Sequence, residues 1–455
     1  MLFRSWDTIQ LDEREFFKTK CPEIAEISKQ NQRRLKIKSL KTENLDLHSQ
    51  YSKMMLKTKK EVNFIKLSPF YRNSSHGNLT TYPMFIERIA NILAPNGFFS
   101  VICPTTFLLS DNLKEFVKLF IQNNALNSYF DFENKKIFPI DSRFHFLITS
   151  GLNPFIKHPY QKILASFMQE SPNRVLELIQ KKETITNSND LFLFEPEDYT
   201  LFNPNTGNSP VFNSRLDYEI LKRIYNKVPI LLKKGQNSEI NSYKINTTRM
   251  YHLSEDSHFF INTIDLLTSN RNKEFTFRDK NNEIYFPLYE GKMLDHYNHR
   301  NNSSIMGAGK KLKGVNTKSE QYKDVKFEIT PMYWVAKKNL EKKLESMEIF
   351  DKRNWFILYR SVTSKTNWRT LISSICPKTA VGNTALLVLS PESPKRNACL
   401  VSNFNCFIFD YIVRQKFGGT FLFFFILYQL PVFPPDFYSD SIQNFILSRD
   451  RKSVV

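Results

Sequence analysis

TYPMFIERIANILAPNGFFSVICPT, residues 81–105, decides the fold class. Tyr82, Phe85, Ile86, Ile89, Ile92 and Leu93 recur at three- and four-residue intervals, the spacing that places side chains on one face of an α-helix. Pro95, Asn96 and Gly97 stop that helix, and the run FFSVICP that follows directly reads as a buried strand. Ser110 and Asp111 are placed to cap a second helix, whose Leu113, Phe116, Val117 and Phe120 share a face and which Asn123 and Asn124 end. LNSYFDF at 126–132 and RFHFLITS at 143–150 read as strands around a turn containing Pro139 and Asp141. Helix, strand, helix, strand, strand is the order of a sheet covered by helices, an α/β piece running to about residue 150. Nothing before Tyr82 reads as the strand and glycine-rich turn with which a doubly wound domain opens.

Outward from this segment the signals weaken. Residues 23–60 are charged, with Leu35, Leu40, Leu47, Tyr51 and Met54 at roughly helical intervals, and predict one or two exposed helices. Prolines at 154, 159 and 172 and the polar TITNSND at 184–190 mark a connector, with a boundary near 190. A helix begins at Ser214, with Asp217 three residues on and Leu216, Ile220, Leu221 and Ile224 on its expected inner face. The stretch 301–325 is polar, basic and without periodicity, and predicts a surface loop.

Composition narrows the function. At 455 residues the chain has room for two or three domains. Its 64 Lys and Arg against 45 Asp and Glu leave a net charge of +19, which points to a polyanionic partner, nucleic acid first. With 41 Phe, 19 Tyr and 4 Trp it is no disordered basic tail. The 12 glycines are few for a protein that cradles phosphates in clustered-glycine loops. Five scattered cysteines form no CxxC pair and fit a reducing cytoplasm. The apolar run TFLFFFILY, 420–428, is too short for a membrane span of about 18 residues.

Residues 352–378 hold the best nucleic-acid footprint. Lys352, Arg353, Arg360, Lys365, Arg369 and Lys378 occur there without an acidic residue, interleaved with Trp355, Phe356, Tyr359 and Trp368. Cations neutralise phosphates and exposed rings stack on bases, while the bland alternative puts the rings in the core. PLYEGKMLDHYNHR, 287–300, with His296 and His299, together with His252 and His258, admits a metal site, and Asp111 with Glu133 and Lys135 admits a nuclease site. Neither spacing is specific, and no metal is expected.

Several stretches, in order, resemble the later part of the large adenine-specific DNA methyltransferases of the combined restriction-modification (type IIG) family. WDTIQLDEREFF at 6–17, PEIAE at 22–26, residues 81–105 and YFDFENKKIFPIDSRFHFLI at 129–148 resemble the end of their methyltransferase domain. NPNTGNSPVFNSRLDYEILKRIY at 203–225, EDSHFF at 255–260, PLYEGKMLDHYNHR, KTAVGNTALL at 378–387 and residues 407–435 resemble the region after it.

The resemblance implies transfer of methyl from S-adenosylmethionine to the exocyclic amine of an adenine flipped out of double-stranded DNA. The family holds that base with Asn-Pro-Pro and an aromatic residue. Trp6 matches the aromatic position, but Phe3, Arg4 and Ser5 precede it. The glycine-rich cofactor loop and any nuclease domain, which the family places further upstream, have no counterpart here.

The expectation is therefore a carboxyl-terminal portion, inactive alone and without a cofactor of its own, completed by an upstream polypeptide. The alternatives are a non-catalytic DNA-binding module and a degraded remnant. Residues 1–150 would be the distal part of a Rossmann-like methyltransferase sheet, 151–190 a connector and 191–455 an α+β target-recognition region. Lys292, Arg300, Arg353, Arg360 and Lys416 would contact DNA, and Trp6 would be what remains of the base-holding motif. A cytoplasmic protein, without a membrane partner, is expected.

Overall fold

The computed structural model describes residues 8–449 except 29, 78, 136, 139–144, 181–187, 235–238, 267–269, 272–274, 280, 308–310, 325, 350–352 and 418–419. The chain forms two compact units, residues 1–216 and 217–455.

The first unit opens with helices α1 (Glu13–Lys18), α2 (Pro22–Glu26), α3 (Gln30–Glu43) and α4 (Leu45–Leu67). Phe17, Ile24, Ile37, Leu40 and Leu47 close a small core among them. Then come α5 (Thr81–Ile92), β1 (Phe98–Pro104), α6 (Thr106–Leu109), α7 (Lys114–Gln122), β2 (Leu126–Glu133), β3 (His145–Leu152), β4 (Ile163–Gln169), α8 (Pro172–Gln180), β5 (Phe192–Phe194) and α9 (Pro196–Phe202). The sheet order is β1-β3-β2-β4-β5. Strand β3 runs antiparallel to both neighbours, β2 and β4 are parallel, and β5 reverses again, so the sheet is mixed.

Register shows helices on both faces. Phe99 lies opposite Gly151 on β3 and meets Phe120 of α7, whereas Phe146, of the opposite parity on β3, packs with Val175 of α8. A side chain at Gly151 would meet the Ala125 carbonyl at 2.6 Å. The sheet extends past residue 150, because the apolar runs at 163–169 and 192–194 join it as β4 and β5. Strand β1 ends the sheet among the described residues, with Phe98 and Ile102 58% and 50% exposed.

Helix α5 forms where its periodicity predicts, but Phe85 and Ile92 face outward. The buried stripe is Tyr82, Ile86 and Ala90, joined by Glu87. That carboxylate accepts from the backbone and side chains of Asn73 and Ser74, four donors that offset its desolvation.

The second unit begins within α10 (Arg215–Lys227). It contains β6 (Asn246–Thr248), β7 (Phe260–Asn262), α11 (Thr263–Leu266), β8 (Asn270–Arg271), β9 (Phe277–Arg278), β10 (Ile284–Tyr289), β11 (Asn302–Met306), β12 (Leu312–Asn316), α12 (Ser319–Lys323), β13 (Tyr333–Ala336) and α13 (Lys337–Ser346). After these come β14 (Trp355–Arg360), β15 (Ser373–Pro377), β16 (Ala380–Val381), β17 (Ala385–Leu389), α14 (Pro394–Asn405), α15 (Phe407–Lys416), α16 (Phe424–Tyr428) and α17 (Asp440–Arg449). One sheet runs β7-β13-β10-β9-β8, with β16 parallel to β10, and a second runs β15-β14-β17-β6. Tyr289 and Leu288 from the first and Phe356, Leu358 and Leu387 from the second share one core.

Two expectations need correction. Within 301–325, expected as a surface loop, β11 (Asn302–Met306) pairs antiparallel with β12 (Leu312–Asn316). Both strands are polar, so the ladder forms without the alternation that announces a strand. On α10 the buried positions are Leu221 and Tyr225, while Leu216 and Ile220 are exposed; the Tyr225 hydroxyl donates to the Gln429 carbonyl at 2.8 Å. No helix among the described residues is long and apolar enough to cross a membrane.

Candidate nucleic-acid interface

Between β14 and β15 the chain makes a polar excursion, TSKTNWRT, residues 363–370. Short hydroxyl and amide side chains fold it on itself, as such residues do in turns. The Thr363 hydroxyl donates to the Thr370 carbonyl at 2.6 Å, the Asn367 amide to the Thr363 hydroxyl at 3.3 Å, and Ser364 Oγ accepts from the Thr366 N–H. Helix α15 then holds the loop from outside. Arg414 donates to the carbonyls of Lys365 (3.1 Å), Asn367 (2.8 Å) and Trp368 (2.8 Å), and its Nε to Asp410 at 2.9 Å. The other oxygen of the buried Asp410 accepts the N–H groups of Thr370 and Leu371.

The loop presents Trp368 to solvent with 85% of its surface exposed. Of the other rings in the basic segment, Phe356 and Tyr359 are core residues, and Trp355 lies under the Arg353 guanidinium at 4.7 Å. Arg369, next to the exposed indole, is only 7% exposed; its guanidinium covers the Phe407 ring at 3.7 Å, and its Nε finds no acceptor among the described residues.

The five cations expected to contact DNA are all engaged within the second unit. Lys292 pairs with Glu290 at 3.0 Å, and Arg360 donates to the Val362 carbonyl at 2.8 Å. These two lie close together, because Gly291 packs so tightly that a Cβ there would sit 2.3 Å from the Thr384 carbonyl and 3.3 Å from Arg360 Cγ. Arg300 donates to the carbonyls of Asp324 and Phe327, and Arg353 to those of Ser390 and Glu392. Lys416 Nζ sits 4.9 Å over the Tyr225 ring, and burial lowers its pKa to about 7. Trp6 and Lys352 lie outside the described residues.

The histidines of 287–300 serve the fold. His296 Nε2 lies 3.3 Å from the Leu371 carbonyl and His299 Nδ1 2.9 Å from the Tyr289 hydroxyl. Burial first, and then Arg300, push the His299 pKa down to about 4. Its unfolded counterpart titrates near 6.5, so between these values the unfolded chain binds more protons and stability falls as pH falls. This histidine should contribute a loss of roughly 2–3 kcal/mol between pH 7 and pH 4. Urea unfolding of the wild type and His299→Gln at both pH values checks it; equal pH dependence in the two proteins would show that His299 titrates normally.

Among the described residues no three His, Cys, Asp or Glu side chains converge on a metal position. Asp111 pairs with Lys114, and Glu133 and Glu170 with Lys135, as surface ion pairs. In the first unit one polar cluster has no forewarning in the sequence: the buried Asp131 accepts from Thr105 Oγ1 (2.5 Å) and the Met168 N–H (3.0 Å) and faces His145 Nδ1 at 3.3 Å. It spans the turn after β1, strand β2 and the start of β3.

The match to a known family falls on this first unit. Residues 49–138, from α4 through β2, match the Eco57I restriction-modification methylase family. No curated protein matches the chain. Among solved structures, the type IIG restriction endonuclease BpuSI overlaps 87% of this chain and 47% of its own, at 13% identity and a TM-score of 0.32. A nuclease-deletion mutant of the Type ISP restriction-modification enzyme LlaGI, in complex with a DNA substrate mimic, overlaps 87% and 33%, at 10% identity and 0.38. The Type IIL restriction-modification enzyme MmeI, in complex with DNA, overlaps 70% and 36%, at 8% identity and 0.33. The chain spans less than half the length of each of these proteins.

Proposed function

We propose that this chain is part of an adenine-specific restriction-modification DNA methyltransferase of the cytoplasm, that S-adenosylmethionine is the methyl donor of the assembled enzyme, and that residues 217–455 hold double-stranded DNA. The observation that carries the reading is the methylase match over residues 49–138, which falls on the helix-covered part of the sheet. The net charge of +19 and the solvent-exposed Trp368 beside Arg369 support a DNA partner.

The turn beyond β1 does not fit S-adenosylmethionine. In an open α/β sheet the ligand crevice lies beyond the carboxyl ends of the strands. Beyond β1 that space is filled: Thr105 is bonded to Asp131, Phe107 is buried against Phe116 and Phe120, and α6 starts at Thr106. No glycine follows β1 to let a cofactor approach the backbone. Methyl transfer is therefore proposed for an assembly in which a second polypeptide brings the glycine-rich loop and the Asn-Pro-Pro motif. The edge strand β1, with Phe98 and Ile102 exposed, is suited to receive it. The same filled turn favours a second reading, a DNA-binding module that transfers nothing.

A transfer assay with radiolabelled S-adenosylmethionine and unmethylated duplex separates them. The chain alone should give background counts, and the chain mixed with a polypeptide bearing the two motifs should label N6 of adenine. Labelling by the chain alone, or of cytosine, would overturn the proposal; background counts in every mixture would leave the module.

A further inference from the structure

We propose that Trp368, carried on a preformed loop, is a wedge that stacks on bases of the DNA, and that Arg369 beneath it supplies a hydrogen bond to the same DNA through its guanidinium, whose Nε has no acceptor among the described residues. This rests on the reading of residues 217–455 as a DNA-holding unit and specifies how that unit engages the bases.

Three observations carry it. A large aromatic side chain exposed over 85% of its area contributes nothing to the core, yet the backbone beneath it is tied down at several points. Arg414 donates to three loop carbonyls, Asp410 accepts two N–H groups, and Thr363 closes the loop on Thr370. Such anchoring fixes the backbone that carries the indole before any partner arrives, so little backbone ordering remains to be done on binding.

The second observation is Arg369. Its Nε is buried without an acceptor among the described residues, which is costly in a folded protein and would be relieved by a ligand oxygen or nitrogen reaching it as the loop engages DNA. The Phe407 ring, itself 74% exposed, holds the guanidinium plane at 3.7 Å and fixes its direction.

The third is charge. Residues 353–378 contain no carboxylate, and Asp410, whose carboxylate bonds the loop, is consumed by Arg414 and by backbone N–H groups. An exposed ring in a stretch without carboxylates suits a polyanion whose bases offer π-faces, and it suits an apolar protein groove less well.

The test is Trp368→Ala, with Trp368→Phe as the conservative control, measured by fluorescence anisotropy on a labelled 30-base-pair duplex across a salt series. The indole is exposed, so both variants should unfold at the wild-type urea midpoint. Stacking on one or two bases predicts a loss of about 10- to 100-fold in affinity for the alanine variant, partial recovery with phenylalanine and an unchanged salt slope. Wild-type affinity in Trp368→Ala would overturn the wedge while leaving DNA binding intact. A weaker salt slope would make the loop a phosphate contact and would also overturn it. If the wild type itself binds no duplex, the reading beneath the inference fails first. Self-association of the wild type that vanishes in Trp368→Ala would assign the ring to a protein contact instead.

Discussion

Asp410→Ala should destabilise the protein by about 3–5 kcal/mol, more than any exposed substitution in the second unit. The carboxylate is 4% exposed and carries two tasks at once. One oxygen takes the N–H groups of Thr370 and Leu371 at 2.7 and 3.0 Å, and the other takes Arg414 Nε at 2.9 Å. Alanine orphans both amides, and each buried unsatisfied group costs about 1–3 kcal/mol. It also strips the counter-charge from Arg414, whose remaining donors hold Lys365, Asn367 and Trp368 by their carbonyls. The damage should centre on residues 363–370. In urea the midpoint should fall at unchanged slope, and trypsin should cut at Lys365 and Arg369 well below that midpoint. Asp410→Asn, which keeps an acceptor, should lose less. A loss under about 1 kcal/mol, with the loop still protected, would show that Asp410 does not hold it.

The elements around residues 81–152 were legible because both periods are strong there. The helix α5, the strand FFSVICP and the helix carrying Phe116 and Phe120 lie where the spacing of apolar residues puts them. Burial within an element was less legible. Phe85, Ile92, Leu216 and Ile220 look like inward residues, yet all four are exposed, because a stripe is decided by what packs against the helix. The pair of strands β11 and β12 was invisible for the opposite reason, since backbone pairing holds it with little apolar alternation.

The candidate site was half legible. A basic stretch with interleaved rings is a sequence property, but which ring faces solvent is decided by the sheet: Phe356 and Tyr359 belong to β14 and the core, and Trp368 to the loop beyond it. The cations singled out from the resemblance are tied to carbonyls, a carboxylate or a ring. Arginine's forked donors suit it to bracing loops as well as to binding phosphate, and composition cannot separate the two uses. The staple formed by Asp410 and Arg414 is readable as a pair four residues apart on a helix, but its loop partners lie 39 to 49 residues upstream. The cluster around Asp131 depends likewise on strands that meet only in the folded sheet.

The strongest dependence should appear in DNA binding itself. Each phosphate neutralised releases counterions, so the affinity for duplex falls steeply with salt. A chain with a net charge of +19 has cations enough for the usual six to ten phosphate contacts. Its affinity for a 30-base-pair duplex should then drop by about 10³ to 10⁵ between 50 and 200 mM salt. Equilibrium anisotropy of that duplex across this salt range, with the whole chain and no cofactor, is the most direct measurement. Saturable binding with that steep slope is expected; absence of binding at 50 mM salt, or an affinity indifferent to salt, would contradict the assignment of residues 217–455 to DNA.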